Sequence, residues 1–149
     1  MKRFLGPIIL AVITGFVMAQ LVFSQYEKPQ LQTVFGENEK VNIIQLGVYS
    51  SKENMQINTK DFAHYIYNKN NGMYYVYVGM TNENKNVIKL KEYYKQLGKD
   101  IYIKQINISN EKFLSILKQY DELLLKTEDK QTIKTIQSKV LKKYEELVK

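Results

Sequence analysis

The sequence predicts an α+β protein built of an N-terminal transmembrane helix, a β-α-β-β-α-β domain and a C-terminal helical hairpin. In the domain a four-stranded antiparallel sheet carries two helices on one face. Three observations carry this reading. Residues 4–23 hold no charged side chain and follow Met1, Lys2 and Arg3. Two segments, starting at Ile44 and at Val76, share one plan of alternating strand residues, a glycine (Gly47, Gly79) and a polar helix start. Beyond Asn110, apolar side chains recur with the helical period to the end of the chain.

A helix rises about 1.5 Å per residue and a bilayer core is about 30 Å thick, so residues 4–23 are long enough for one crossing. Pro7 falls in the first turn, where its missing N–H costs little. Lys2 and Arg3 favour a cytoplasmic start for residues 1–3, which sends the rest of the chain to the outer face. Val17, Met18 and Ala19 also fit a signal-peptide cleavage site, although Leu21, Val22 and Phe23 continue the apolar run. Both readings export the domain. The expected location is the cell membrane, single-pass, with lipid contacted through residues 4–23. Residues 24–40, polar and containing Pro29 and Gly36, read as a juxtamembrane linker.

The exported domain is expected over residues 41–108. Ile44, Leu46 and Val48 alternate as a first strand. A helix over residues 51–64 follows, with Ser50 and Glu53 spaced as a capping box and Met55, Phe62 and Ala63 facing inward. A short strand at residues 65–67 leads through Asn68, Lys69, Asn70, Asn71 and Gly72 into a third strand at residues 73–80. The second helix, residues 83–97, starts from a Thr81 or Asn82 cap, presents Val87, Leu90, Tyr94 and Leu97 on one face, and stops at Gly98. Residues 101–108 supply the fourth strand. In residues 109–149, Phe113, Ile116, Leu117, Tyr120, Leu123 and Leu124 mark one amphipathic helix. Ile133, Ile136, Val140, Leu141, Tyr144 and Leu147 mark another, and the polar break at Thr127, Glu128 and Asp129 makes the pair a hairpin. Its apolar stripe packs on the sheet domain, between the two helices, or on a septal or membrane protein partner.

Composition narrows the chemistry. The 149 residues carry a net charge of +7, almost all from dispersed lysines, since Arg3 is the sole arginine. That pattern describes a solvated surface more than a dedicated anion site. With no cysteine there is no disulfide, thiolate nucleophile or thiolate metal site. The single histidine, His64, has no second histidine or clustered carboxylates nearby in sequence, and no phosphate-binding glycine loop or nucleophile elbow is present. Asp61, Asp100, Asp121, Asp129, Glu145 and Glu146 read as solvation charges. The expectation is a protein that is not an enzyme, with no catalytic residue, metal or cofactor.

Aromatic placement is the distinctive feature. With Ile44, Leu46, Val48, Ile66, Val76, Val78, Ile101 and Ile103 turned to the helices, alternation sends Gln45, Tyr65, Tyr67, Tyr75, Tyr77, Tyr102 and Lys104 to the opposite face. Tyrosine rings offer flat apolar area with a hydrogen-bonding tip, suited to stacking on sugars. Tyrosine also favours strands and pairs across them, which is reason enough for its presence.

The segment Ile44-Gln45-Leu46-Gly47-Val48-Tyr49-Ser50-Ser51 resembles the first half of a SPOR (sporulation-related repeat) domain, which starts with a hydrophobic-Gln-hydrophobic-Gly strand, an aromatic residue and a serine-rich helix cap. Tyr74-Tyr75-Val76-Tyr77-Val78-Gly79 resembles its second half. The resemblance covers residues 41–108. It implies binding of peptidoglycan glycan strands, characteristically stripped of stem peptides, through the sheet face, often at division or sporulation septa. It puts Gln45, Tyr75 and Tyr77 on the ligand face with Ser50 at its edge. No nucleic-acid partner is expected, since no RNP1-like Lys/Arg-Gly-Phe/Tyr pattern is present and the domain faces outward. The chain departs from the family in having tyrosines where many members carry arginine at Tyr75 and Tyr77, and in adding the helical tail. The alternative expectation is a non-catalytic scaffold on a degenerate SPOR fold.

Overall fold

The computed structural model describes residues 38–148, so the expected membrane helix and almost all of the linker lie outside the described residues. Within them the order is β1 (Glu39–Tyr49), α1 (Lys52–Thr59), β2 (Ile66–Asn70), β3 (Met73–Thr81), α2 (Asn84–Gln96), β4 (Tyr102–Ile108), α3 (Glu111–Lys126) and α4 (Lys130–Leu147). The strands form one sheet in the order β2-β3-β1-β4, every pair antiparallel. This is the β-α-β-β-α-β arrangement expected from the sequence, followed by the expected hairpin. Among the described residues no helix is long and apolar enough to cross a membrane.

Local chemistry sets each boundary. Asn71 and Gly72 both take positive φ, 49° and 76°, between the paired residues Asn70 and Met73. That is a two-residue hairpin turn, so β2 runs on to Asn70 where the sequence suggested a loop. Helix α1 stops at Thr59, well short of the expected residue 64. Its last turn is rich in residues that bond their own backbone: Asn58 Nδ2 donates to the Asn54 carbonyl (2.8 Å) and Thr59 Oγ1 to the Met55 carbonyl (2.9 Å). The chain then turns so that Phe62 stacks on Tyr94, ring centroids 6.1 Å apart. The cap of α1 is Ser51, which accepts from Asn54 N–H at 3.2 Å, and Ser50 is outside it. Gly98, with φ 68°, ends α2 as expected; its N–H and that of Lys99 return to the carbonyls of Lys95 and Tyr94.

The hairpin is tied off at both ends. Asn110 caps α3 by accepting from Phe113 N–H (2.9 Å) and donates Nδ2 to the Leu147 carbonyl (2.7 Å), which joins the start of α3 to the end of α4. At the tip, Asp129 caps α4 through Thr132 (2.7 Å), while Lys89 of α2 donates to the closing carbonyls of Leu124, Leu125 and Thr127 at 2.8–3.2 Å. The apolar stripe is used within the chain: Phe113, Leu117, Leu124, Ile133, Ile136, Val140 and Leu141 are buried in the same core as Val41, Ile44, Val76 and Met80.

Two sheet features follow from the hairpin. First, residues 41–46 of β1 are buried without interruption. A strand alternates its side chains, so such a run is covered on both faces rather than one. Second, β2 pairs with β3 only as far as Tyr77, which leaves the outer edge of β3 beyond it without a strand partner. Side chains fill that role: the Tyr94 hydroxyl donates to the Val78 carbonyl (3.1 Å), and Met80 N–H donates to Gln137 Oε1 of α4 (2.9 Å). Gly79 makes the approach of α4 possible, since a Cβ there would lie 2.2 Å from Gln137 Oε1 and 3.2 Å from Ile44 Cδ1. Gly79→Ala is therefore expected to push Gln137 off Met80 N–H and cost about 1 to 3 kcal/mol, read as a shift in the urea midpoint.

Candidate functional site

The β1–β3 register explains which tyrosines share a face. Ile44 lies opposite Gly79, Gln45 opposite Tyr77, and Gly47 opposite Val76, so Val78 and then Leu46 are skipped on either side of Gln45. Two compensating irregularities of this kind change which alternate residues look outward. On β4, Tyr102 is the residue opposite Gln45. Directly opposed residues share a face. Gln45, Tyr77 and Tyr102 thus stand in one row across three strands, with Tyr75 and Lys104 two residues further along theirs. Lys104 Nζ sits 5.0 Å from the Tyr75 ring centroid. Because β4 and β3 flank β1, this cation–π contact passes over β1 near Gln45.

The structure therefore brings together Gln45, Tyr75, Tyr77, Tyr102 and Lys104, as alternation suggested, and leaves other expected members elsewhere. Tyr67 lies opposite Val76, on the reverse face, where it meets Tyr74 at 5.9 Å. Ile66, expected on the helix side, pairs with Tyr77 and so shares its face, although it is buried (4% exposed), and Tyr67 takes the opposite face. Val48, expected inward, pairs with Tyr75 and is 38% exposed. Ser50 is exposed in the turn before α1. Gln45 is only 5% exposed, and its Oε1 is buried with no hydrogen-bond partner among the described residues. The expectation of an open face over Gln45 is corrected: its amide is sealed beneath neighbouring side chains.

What the face presents to solvent is Tyr102, 62% exposed, the exposed Lys104, and the half-buried Tyr75 and Tyr77. Burial pushes the Tyr77 hydroxyl above the usual phenol range, with nearby Tyr75 and Tyr144 adding to the effect. It stays a neutral donor and acceptor at physiological pH. The arrangement can stack on a planar or sugar-like group and hydrogen-bond its edge, with one ammonium for an anionic or hydroxyl substituent. His64 is held by Glu145 at 2.7 Å, and among the described residues no group of acidic or histidine side chains is arranged to hold a metal.

Two polar residues matter to the architecture: Asp121, expected to be a solvation charge, and Gln137, which sequence reasoning did not single out. Asp121 is 6% exposed and accepts from the Thr81 hydroxyl, from Asn82 N–H (2.8 Å) and from Asn86 Nδ2 (3.1 Å). It is no solvation charge. Gln137, 2% exposed, holds the edge of β3. Their signal was positional: Asp121 follows Leu117 by four residues and Gln137 follows Ile133 by four, inside the apolar stripes.

No family model matches this chain, and no curated protein matches it. Among solved structures, the chain is similar to the peptidoglycan binding domain of the B. subtilis cell wall lytic enzyme CwlC, with 21% sequence identity and a TM-score of 0.39, over 51% of this chain and 99% of that one.

Proposed function

We propose that this protein is a non-catalytic binder of peptidoglycan glycan strands, held on the outer side of the cytoplasmic membrane by residues 4–23 and acting at division or sporulation septa. The observation that carries the proposal is the row formed by Tyr77 and Tyr102 on either side of Gln45, with Tyr75 beside it, on the face where the SPOR-like motifs put the ligand. Tyr102 and Tyr75 stack on sugar rings; Lys104 and the tyrosine hydroxyls bond their polar edges. Gln45 supports the row from beneath and does not touch ligand, and Tyr67 has no part in the site.

The test is a pulldown of the protein with purified sacculi, untreated and amidase-stripped. Replacing Tyr75 and Tyr102 together by alanine is expected to weaken binding about tenfold or more with native-like circular dichroism, each lost contact being worth about 1 kcal/mol or more. Equal binding by variant and parent, or none by the parent, rejects the glycan site. The burial of Gln45 favours a second reading in that event, a scaffold whose helical hairpin contacts a septal or membrane protein through its outer surface.

A further inference from the structure

We propose that a cleft between α2, α4 and the α1–β2 connection is a second ligand site, one that takes a small N-acylated carboxylate. The cleft holds about 350 Å³, at the small end of the range for ligand pockets, roughly 300 to 1,000 Å³. It shares no residue with the tyrosine row, so the proposal stands apart from the glycan reading.

Its walls dictate the ligand. Phe62, Val78, Tyr93 and Tyr94 line it, with Tyr93 and Tyr94 packed edge to face at 4.9 Å between centroids, which gives an apolar and aromatic surface for a compact body. Gln137 lines it too. Its Oε1 is committed to Met80 N–H, which leaves Nε2 as a buried donor with no partner among the described residues. A buried amide donor is expensive to leave unpaired, so a ligand that brings an acceptor gains from it. Lys99, Lys130 and Lys134 also line the cleft, and among the described residues none of them is in an ion pair. Asp61 is the sole carboxylate among the lining residues. Three cations facing one anion favour a negatively charged guest. An acyl carbonyl for Gln137, a carboxylate for the lysines and a small body against the aromatic wall together describe an N-acylated carboxylate. An acylated amino acid and an acidic N-acyl sugar share this chemistry.

The experiment is calorimetric titration of the full chain in detergent micelles with N-acetylalanine and with N-acetylmuramic acid, each beside an uncharged counterpart, N-acetylalaninamide and N-acetylglucosamine. At least one acid is expected to bind saturably, its uncharged counterpart about tenfold more weakly or worse, and the acid that binds names the source. The double charge reversal Lys130→Glu with Lys134→Glu, and separately Lys99→Glu, should each lower affinity for the acid about tenfold while leaving far-ultraviolet circular dichroism unchanged. Lys118→Glu, a charge reversal at an exposed position outside the cleft, should leave it unaltered. The proposal is overturned if neither acid saturates, if the uncharged counterparts bind equally well, or if folded charge-reversal variants keep the parent affinity.

Discussion

Phe113→Ala is expected to destabilise the whole described domain by about 3 to 5 kcal/mol, the range for losing a fully buried phenylalanine. Phe113 is 0% exposed at the start of α3, where it packs edge to face on Tyr144 of α4 at 5.6 Å between centroids. Its ring belongs to the same buried cluster as Val41 and Met80 of the sheet. A domain of this size has a total stability of about 5 to 15 kcal/mol, so the substitution removes a large share of it. Guanidinium denaturation followed by both circular dichroism and tyrosine fluorescence is the measurement. One cooperative transition, displaced to lower denaturant, is expected by both probes. Leu123→Ala on the same helix serves as the control: Leu123 is 40% exposed and its loss should cost well under 1 kcal/mol. If the variant instead shows two transitions and the sheet keeps the parent midpoint, the hairpin is an appendage and not part of the core.

This matters for function because the strands named by the SPOR-like motifs do not end in an open sheet. The hairpin completes β3 at its free edge through Gln137, and residues 41–46 of β1 are buried, with Val41, Ile43, Ile44 and Leu46 in the core cluster that the hairpin shares. What remains accessible on this face is Tyr102 and Lys104 on the outer strand β4 and the partly buried Tyr75 and Tyr77. Under the proposed glycan-binding role, a face narrowed in this way contacts fewer sugars than an uncovered one, which predicts weaker binding per domain and a gain from several copies held together.

The elements themselves were legible because their signals are local. The strand patterns, Gly98 and the Thr127-Glu128-Asp129 break each depend on a few adjacent residues, and the structure uses all of them, whereas the loop expected over residues 68–72 shrinks to the Asn71-Gly72 turn. The misplacements have non-local causes. Nothing in the sequence near Gln45 marks the two skipped residues, Leu46 and Val78, because an irregularity in pairing is a property of two strands at once. The inversion of Ile66 and Tyr67 has the same origin, since β2 takes its facing from β3 and a shift of one residue exchanges the faces. On α2 the expected Leu90 and Tyr94 are buried, but Asn86 and Tyr93 join them in place of Val87, which is half-buried, and Leu97, which is 46% exposed. The polar Asn86 is drawn inward by Asp121 on a helix that the pattern of α2 alone cannot show.

Asp121→Ala is expected to cost about 2 to 5 kcal/mol near neutral pH, because it strands several donors at once. The Thr81 hydroxyl, Asn82 N–H and Asn86 Nδ2 all converge on this carboxylate, and all belong to the β3–α2 segment that the hairpin must hold. Burial raises the Asp121 pKa above its ordinary 3.8, against the opposing pull of those hydrogen bonds. The sign of the pH effect follows. A carboxyl with a raised folded-state pKa binds its proton more tightly in the native protein than in the unfolded chain, so it favours folding most when protonated. That advantage declines as pH rises from 3.8 through the raised value. The alanine variant has no such group. Parent minus variant stability should therefore be largest at acid pH and shrink towards neutrality, while remaining positive because the stranded donors cost free energy at every pH. Urea denaturation of both proteins at several pH values between about 3.5 and 7 measures the difference directly and cancels the titration of every other carboxylate. A difference that grows with pH would mean that the hydrogen bonds outweigh desolvation and hold the Asp121 pKa below its ordinary value. A difference near zero throughout would mean that Asp121 does not hold the hairpin at all.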